Sequence, residues 1–171
     1  MPRPFTEPRL VIASHNKGKI TEIADLLAPY SVDIISIREF DLPEPEETGR
    51  TYIANAVIKA EAAVAGCGLP CLADDSGVSV EALCGEPGIF SARWAGPDRD
   101  FNLAMTTVNE KLGKNPNRRA CFVSVLALAW PDGHSESFEG RIYGNMIWPP
   151  RGSSGFGYDP MFMPDGYDKT F

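Results

Sequence analysis

The sequence predicts an α/β domain, on three observations. Short apolar runs alternate with stretches of helical periodicity, and Gly, Pro, Asn and Asp punctuate them at close intervals. No internal repeat, low-complexity segment or linker divides the chain, so the expectation is a single domain over residues 1–171.

Leu10-Val11-Ile12-Ala13 is an apolar run of strand length that leads into the polar turn Ser14-His15-Asn16-Lys17-Gly18-Lys19. Ile20, Ile23, Ala24 and Leu27 then recur at i, i+3, i+4 and i+7, one face of an amphipathic helix that stops near Pro29. Residues 32–37 predict a second strand, and residues 41–49 an acidic loop with two prolines. A second helix is expected over residues 51–65, with Ile53, Val57, Ala60 and Val64 on one side and Asn55 and Lys59 on the opposite, polar face. Gly66 and Gly68 end it. Residues 69–73 read as a further strand, which Asp74-Asp75-Ser76-Gly77 is expected to break before Val78, Val80 and Ala82 alternate with polar residues.

The Gly- and Pro-rich residues 85–97 predict a loop around a short strand near Ala92, and residues 101–112 a helix. The run from Cys121 to Trp130, the turn Pro131-Asp132-Gly133 and residues 135–142 together predict a hairpin. Residues 153–160 (SSGFGYDP) form a glycine-rich loop with two aromatics and an acid.

Bulk properties exclude several classes. A chain of 171 residues with 43% hydrophobic and 23% charged residues buries a core without disulfide or metal staples. Its net charge of -7 argues against nucleic acid as a partner, which needs a basic face, but not against a small polyphosphate held by a few lysines and a divalent cation. Cys67, Cys71, Cys84 and Cys121 have no paired CxxC spacing and the two histidines are far apart, so the cysteines read as small buried hydrophobes rather than zinc ligands. The first nine residues hold three prolines and no apolar h-region, and the longest apolar run, residues 120–130, is too short to span a bilayer. A cytoplasmic protein of a reducing compartment is expected, without a membrane partner.

Three segments carry candidate chemistry. The turn from Ser14 to Lys19 lies where a strand meets a helix N-terminus, which favours a phosphate; it fails the Walker A pattern at Ala13 and Ile20, and a solvated helix start remains an equal reading. Asp74-Asp75 ends an apolar strand, where ligands bind in α/β sheets, and carboxylates are the oxygen ligands that Mg²⁺ takes. A turn is the lesser reading there, while Glu46-Glu47 alone reads as a surface loop. In Gly155-Phe156-Gly157-Tyr158-Asp159-Pro160, either the aromatics stack on a base between close-approaching glycines or they tuck into the core. No Ser-His-Asp or Cys-His spacing supports nucleophilic hydrolysis.

Taken in order, five pieces resemble the inosine triphosphate pyrophosphatase family, the non-canonical purine NTP pyrophosphatases. They are Ser14-His15-Asn16-Lys17-Gly18-Lys19; Glu46-Glu47-Thr48-Gly49 with Asn55-Ala56 and Lys59-Ala60; Ala73-Asp74-Asp75-Ser76-Gly77; Pro87-Gly88-Ile89-Phe90-Ser91-Ala92-Arg93; and Gly155-Phe156-Gly157-Tyr158-Asp159-Pro160. The resemblance implies a mixed α/β fold with a long twisted sheet flanked by helices, two lobes around a central nucleotide-binding cleft, and a homodimer. It implies hydrolysis of ITP, dITP and XTP to the monophosphate and pyrophosphate, with Mg²⁺ as cofactor. The triphosphate would lie along Ser14, His15, Asn16, Lys17, Gly18 and Lys19, helped by Lys59 and Ser76. Glu47 and Asp75, with Asp74, would hold the metal, and Asp75 would be the general base. Phe156 would stack on the base, with Gly157, Tyr158 and Asp159 shaping its pocket.

The family usually continues past Asp159-Pro160 into a final helix, preceded by a lysine and a Ser-His-Arg motif. This sequence ends at Phe171 without them, so a truncated C-terminal end is expected. The alternatives are a house-cleaning pyrophosphatase for modified pyrimidine or methylated nucleotides, and a nucleotide-binding module without catalysis.

Overall fold

The computed structural model describes residues 2–171, so Met1 of the expected 1–171 domain lies outside it. Strand β1 (Arg9–Ile12) runs into helix α1 (Lys17–Leu27), and strand β2 (Asp33–Ser36) returns parallel to β1, with Arg9 opposite Asp33 and Ile12 opposite Ser36. Parallel neighbours need a long crossover, and α1 supplies it. Helix α2 (Tyr52–Cys67) makes the second crossover into β3 (Cys71–Val80), which is parallel to β1 on its other edge, with Val11 opposite Cys71. Helix α3 (Phe101–Leu112), the strands β4 (Arg119–Ala129) and β5 (Ser135–Met146), and the short β6 (Phe162–Pro164) complete the fold. The sheet order is β2-β1-β3-β4-β5-β6, and β6 is antiparallel to β5. The expected mixed α/β fold is therefore observed.

Contacts gather into two compact units, one made of the chain up to Asp75 with Val125–Glu139, the other of Ser76–Ser124 with Gly140–Phe171. In the first, Val11 and Ile12 are fully buried with Ala56, Ala60 and Cys71. In the second, α3 buries Ala104, Met105, Val108 and Leu112 with Val78, Val80, Met146 and Phe162. Burying side chains of the Val and Met class contributes about 1.5–3 kcal/mol each, which is why α3 forms where its apolar stripe repeats. Asp100 caps that helix by accepting from the Asn102 and Leu103 amides.

Four local expectations are corrected. First, Asp74-Asp75-Ser76-Gly77 does not break the strand, because β3 runs unbroken from Cys71 to Val80. The acids tolerate burial there because lysines from other elements answer them. Second, the inner face of α2 is Asn55, Ala56, Ala60 and Ala63, while Ile53 is 41% exposed. Small alanines admit close packing, so the polar side is the one that turns inward. Third, the residues around Ala92 form two 3₁₀ turns, Gly88–Phe90 and Arg93–Ala95, rather than a strand. Fourth, Cys84 is exposed and Cys67 only partly buried, so the cysteines are not uniformly buried hydrophobes.

Candidate active site

The first unit builds its site on the ends of β1 and α1, the helix α2 and the strand β3. Ser14 is buried directly after β1. Asn16 is the N-cap of α1: its Oδ1 accepts from the Gly18 amide at 2.9 Å and the Lys19 amide at 3.5 Å, while its own N–H donates to Ser14 Oγ at 3.2 Å. Two of the helix-start amides are therefore engaged within the turn by the Asn16 side chain. The positive character there rests on the helix dipole and on Lys17, which is exposed. His15 Nε2 is hydrogen-bonded to the Leu42 carbonyl at 3.3 Å, and Arg38 donates to the His15 carbonyl at 2.6 Å.

Two lysine–carboxylate links converge on β3. The Lys19 ammonium donates to Asp74, whose carboxylate is almost wholly buried. Lys59, from the inward-turned polar side of α2, donates to Glu47 Oε1 at 2.8 Å and Asp75 Oδ1 at 3.1 Å. Its side chain is 11% exposed, against 9% for Asp75 and 25% for Glu47. Asp75 Oδ2 is buried with no hydrogen-bond partner among the described residues. Glu46 is exposed, so the structure separates it from its neighbour Glu47.

Burial pushes the Asp75 carboxyl up from the ordinary aspartate range; Lys59 pulls it back only in part, and Glu47 adds to the rise. Burial alone would lower Lys59, but Asp75, Glu47 and Asp74 outweigh it and hold the ammonium above the usual lysine value. One lysine faces three carboxylates, whereas Asp75 has Lys59 and, more weakly, Lys19 set against burial and Glu47. Both shifts follow from that asymmetry.

The donor set fits a hard divalent cation. Glu47 and Asp75 point oxygens at one positive charge, and Asp75 keeps a second oxygen unanswered. Mg²⁺ is ordinarily held by one or two carboxylates, with water and phosphate completing its shell. Among the described residues no group of three His, Cys, Asp or Glu side chains is placed to hold a metal ion, so a cation here would rest on the Glu47 and Asp75 pair.

The second unit holds the glycine-rich loop. Phe156 is 39% exposed, and its N–H donates to Asp159 Oδ2 at 2.8 Å. A Cβ on Gly155 would lie 2.3 Å from that same oxygen, so only glycine fits. Gly157 has φ of 67° and faces the Phe101 ring. Tyr158 is buried, packs edge-on to Phe101 at 5.6 Å and donates its hydroxyl to the Ser91 carbonyl at 2.9 Å. Both readings of this loop thus hold for different residues: Phe156 stands out, and Tyr158 is tucked into the core. Burial raises the Asp159 carboxyl, and the Phe156 amide opposes the rise.

The structure thus brings Lys19 to Asp74 and Lys59 to Glu47 and Asp75, while Ser76, half-buried, follows on the same strand. Sequence reasoning missed Arg38, which braces the phosphate-candidate turn from 23 residues away, and the role of Ser91, whose hydroxyl donates to the Gly88 carbonyl and accepts from the Val78 amide. No local pattern marks Arg38, and the motif that contains Ser91 does not show which groups its hydroxyl would join. Asn55 had a signal, since a polar residue among helix alanines is a candidate for an inward role.

Residues 10–171 match the Ham1 family. A dITP/XTP pyrophosphatase of Bradyrhizobium sp. (strain BTAi1) is 57% identical over 168 residues, covering 95% of this chain and 78% of that protein. One from Rhodospirillum centenum is 57% identical over 173 residues, covering 99% and 85%. Among solved structures, a HAM1 protein from Coxiella burnetii superposes with a TM-score of 0.88 at 38% identity, covering 96% of this chain and 85% of that one. The Staphylococcus aureus Ham1 protein gives 0.84 at 40% identity, covering 95% and 84%.

Proposed function

The chain belongs to the Ham1 family, and we propose that it hydrolyses the non-canonical purine nucleotides ITP, dITP and XTP to the monophosphate and pyrophosphate. The observation that carries this reading is the buried Lys59 linked to Glu47 and Asp75, with one Asp75 oxygen left unanswered. The names of the relatives favour purine triphosphates over modified pyrimidines and over a binding module.

Phosphoryl chemistry is largely positioning and charge neutralisation. Lys17, Lys19 and the N-terminal end of α1, shaped by Ser14, His15, Asn16 and Gly18, provide a cationic seat for the polyphosphate, with Lys59 in the same unit and Ser76 next to Asp75 on β3. Glu47 and Asp75, with Asp74 beside them, would hold Mg²⁺, which when bound neutralises phosphate charge and acidifies water. Asp75 accepts the proton of the attacking water at its free Oδ2. The water oxygen bonds to the α-phosphorus, and the bond to the pyrophosphate oxygen breaks. Lys59 opposes the rise that burial imposes on Asp75 and so favours its ionised form.

Phe156 offers an exposed ring for the purine, held by the Asp159–Phe156 bond, while Gly157 and Tyr158 fix the loop beneath it. The reading includes a cytoplasmic location and a homodimer; exposed Phe138, Ile142 and Tyr143 on β5 support a second copy as partner. No described helix is long and apolar enough to cross a membrane.

The test is pyrophosphate release from ITP, dITP, XTP, GTP and ATP with Mg²⁺, comparing the chain with Asp75→Asn. Turnover of ITP and XTP that collapses in the variant is the expected result. Equal turnover by both proteins would remove Asp75 from the mechanism, and preference for ATP would overturn the substrate class.

A further inference from the structure

We propose that Cys67 and Cys71 form a reversible thiol-oxidation site, which a hydroperoxide converts into an intrachain disulfide. Cys67 is the last residue of α2 and Cys71 the first of β3. Gly68, at φ 68°, turns the chain back between them, and the Leu69 carbonyl accepts from both thiols, at 3.9 Å and 3.3 Å. The two sulfurs lie 3.4 Å apart. A disulfide needs about 2.05 Å, so the sulfurs must close by roughly 1.4 Å.

The two thiols differ in the way such a couple requires. Cys67 is partly exposed, whereas Cys71 is fully buried. Burial, reinforced by the bond with Cys67, holds the Cys71 thiol well above the ordinary cysteine range, so Cys67 is the sulfur that meets the oxidant. Its thiolate attacks one peroxide oxygen; the O–O bond breaks, Cys67 becomes a sulfenic acid, and the departing alkoxide (hydroxide, from hydrogen peroxide) takes the Cys67 proton and leaves as alcohol or water. The Cys71 sulfur then attacks the Cys67 sulfur, the S–O bond breaks, and the sulfenic hydroxide leaves as water with the Cys71 proton. Two thiols are oxidised and one hydroperoxide is reduced. The neighbouring thiol thereby diverts Cys67 from the irreversible sulfinic step. It also keeps bulky adducts away from the helix that carries Lys59 and the strand that carries Asp75.

Cys84, exposed, and Cys121, whose thiol donates to the Phe122 carbonyl, are internal controls. The folded full chain is titrated with hydrogen peroxide, its remaining thiols are alkylated after unfolding, and the peptides are mapped with and without reductant. The expected result is loss of two hydrogens, a Cys67–Cys71 cross-link, full recovery with dithiothreitol, and a Cys67→Ser chain whose Cys71 stays alkylatable at the same dose. Three outcomes overturn the proposal: Cys67 as sulfinic acid beside a free Cys71, Cys67 bridged to another cysteine, or both thiols intact at doses that oxidise Cys84. The wild-type map decides the matter even where the variant folds poorly.

Discussion

Replacing Lys59 by Met tests the centre of the site, because Met keeps most of the stem and removes only the charge. The ammonium is the hydrogen-bonding link between Glu47 and Asp75, and the side chains of Lys59 and Asp75 are 11% and 9% exposed. Removing one partner from a fully buried ion pair costs about 3–5 kcal/mol; Glu47, at 25% exposed, can rehydrate, which brings the expected loss to about 2–4 kcal/mol. For a chain of this size that lowers the melting temperature by about 5–15 °C. Since the Lys59 value is raised, this contribution is fully present below the ordinary lysine value of 10.5 and disappears as pH rises through the higher folded value. The difference between wild type and variant therefore holds through neutral pH and closes in strong alkali. A divalent cation neutralises the same two carboxylates, so Mg²⁺ should restore part of the variant's loss while moving the wild type less. The assay is thermal unfolding followed by calorimetry, with EDTA or with millimolar-range Mg²⁺. An unchanged melting temperature, or a Mg²⁺ response equal in both chains, would refute the reasoning.

Burial raises the Asp75 carboxyl in the metal-free chain, and a cation held by that carboxylate lowers it, so the acid limb of kcat/KM should move to lower pH as Mg²⁺ is raised, and Asp75→Asn should abolish turnover. The same shift means that Asp75's contribution to stability is greatest below 3.8 and is lost as pH rises through the raised folded value; urea titrations of both chains against pH should show this dependence vanish in the variant. Gly49→Ala places a Cβ 2.5 Å from Asn55 Oδ1 and 2.8 Å from Ala54 Cβ, against the first turn of α2. Such overpacking costs about 1–3 kcal/mol, measurable by urea unfolding, and because it displaces the arm bearing Glu47 it should raise the Mg²⁺ concentration needed for half-maximal activity. Tyr158→Phe deletes the bond to the buried Ser91 carbonyl and should cost about 1–1.5 kcal/mol of stability, with KM for ITP changed less than by Phe156→Ala.

How far the sequence reached depended on the range of the interactions. Helices α1 and α3 were legible in it because helical signals are local: Ile20, Ile23, Ala24 and Leu27 recur at helical spacing, and the helix over residues 101–112 is found with its Asp100 N-cap and a face of Ala104, Met105, Val108 and Leu112. The apolar run from Cys121 to Trp130 likewise marked β4 as a strand, and the structure buries Val123, Val125, Ala127 and Ala129 alternately along it. The five motifs, in order, determined the family. Tertiary structure decided what depends on distant partners. Asp74 and Asp75 carry a turn signature, yet they lie inside a buried strand because Lys19 and Lys59 arrive from two different helices to answer them. Asn55 and Lys59 look like a solvent face until the alanine side of α2 packs closely and turns the polar residues inward. Tyr158 and Phe156, alike in sequence, separate because Ser91 offers a carbonyl to one hydroxyl and nothing covers the other ring as fully. Local propensity is written along the chain, but the desolvation of a charge and the partner that offsets it exist only once the chain has folded.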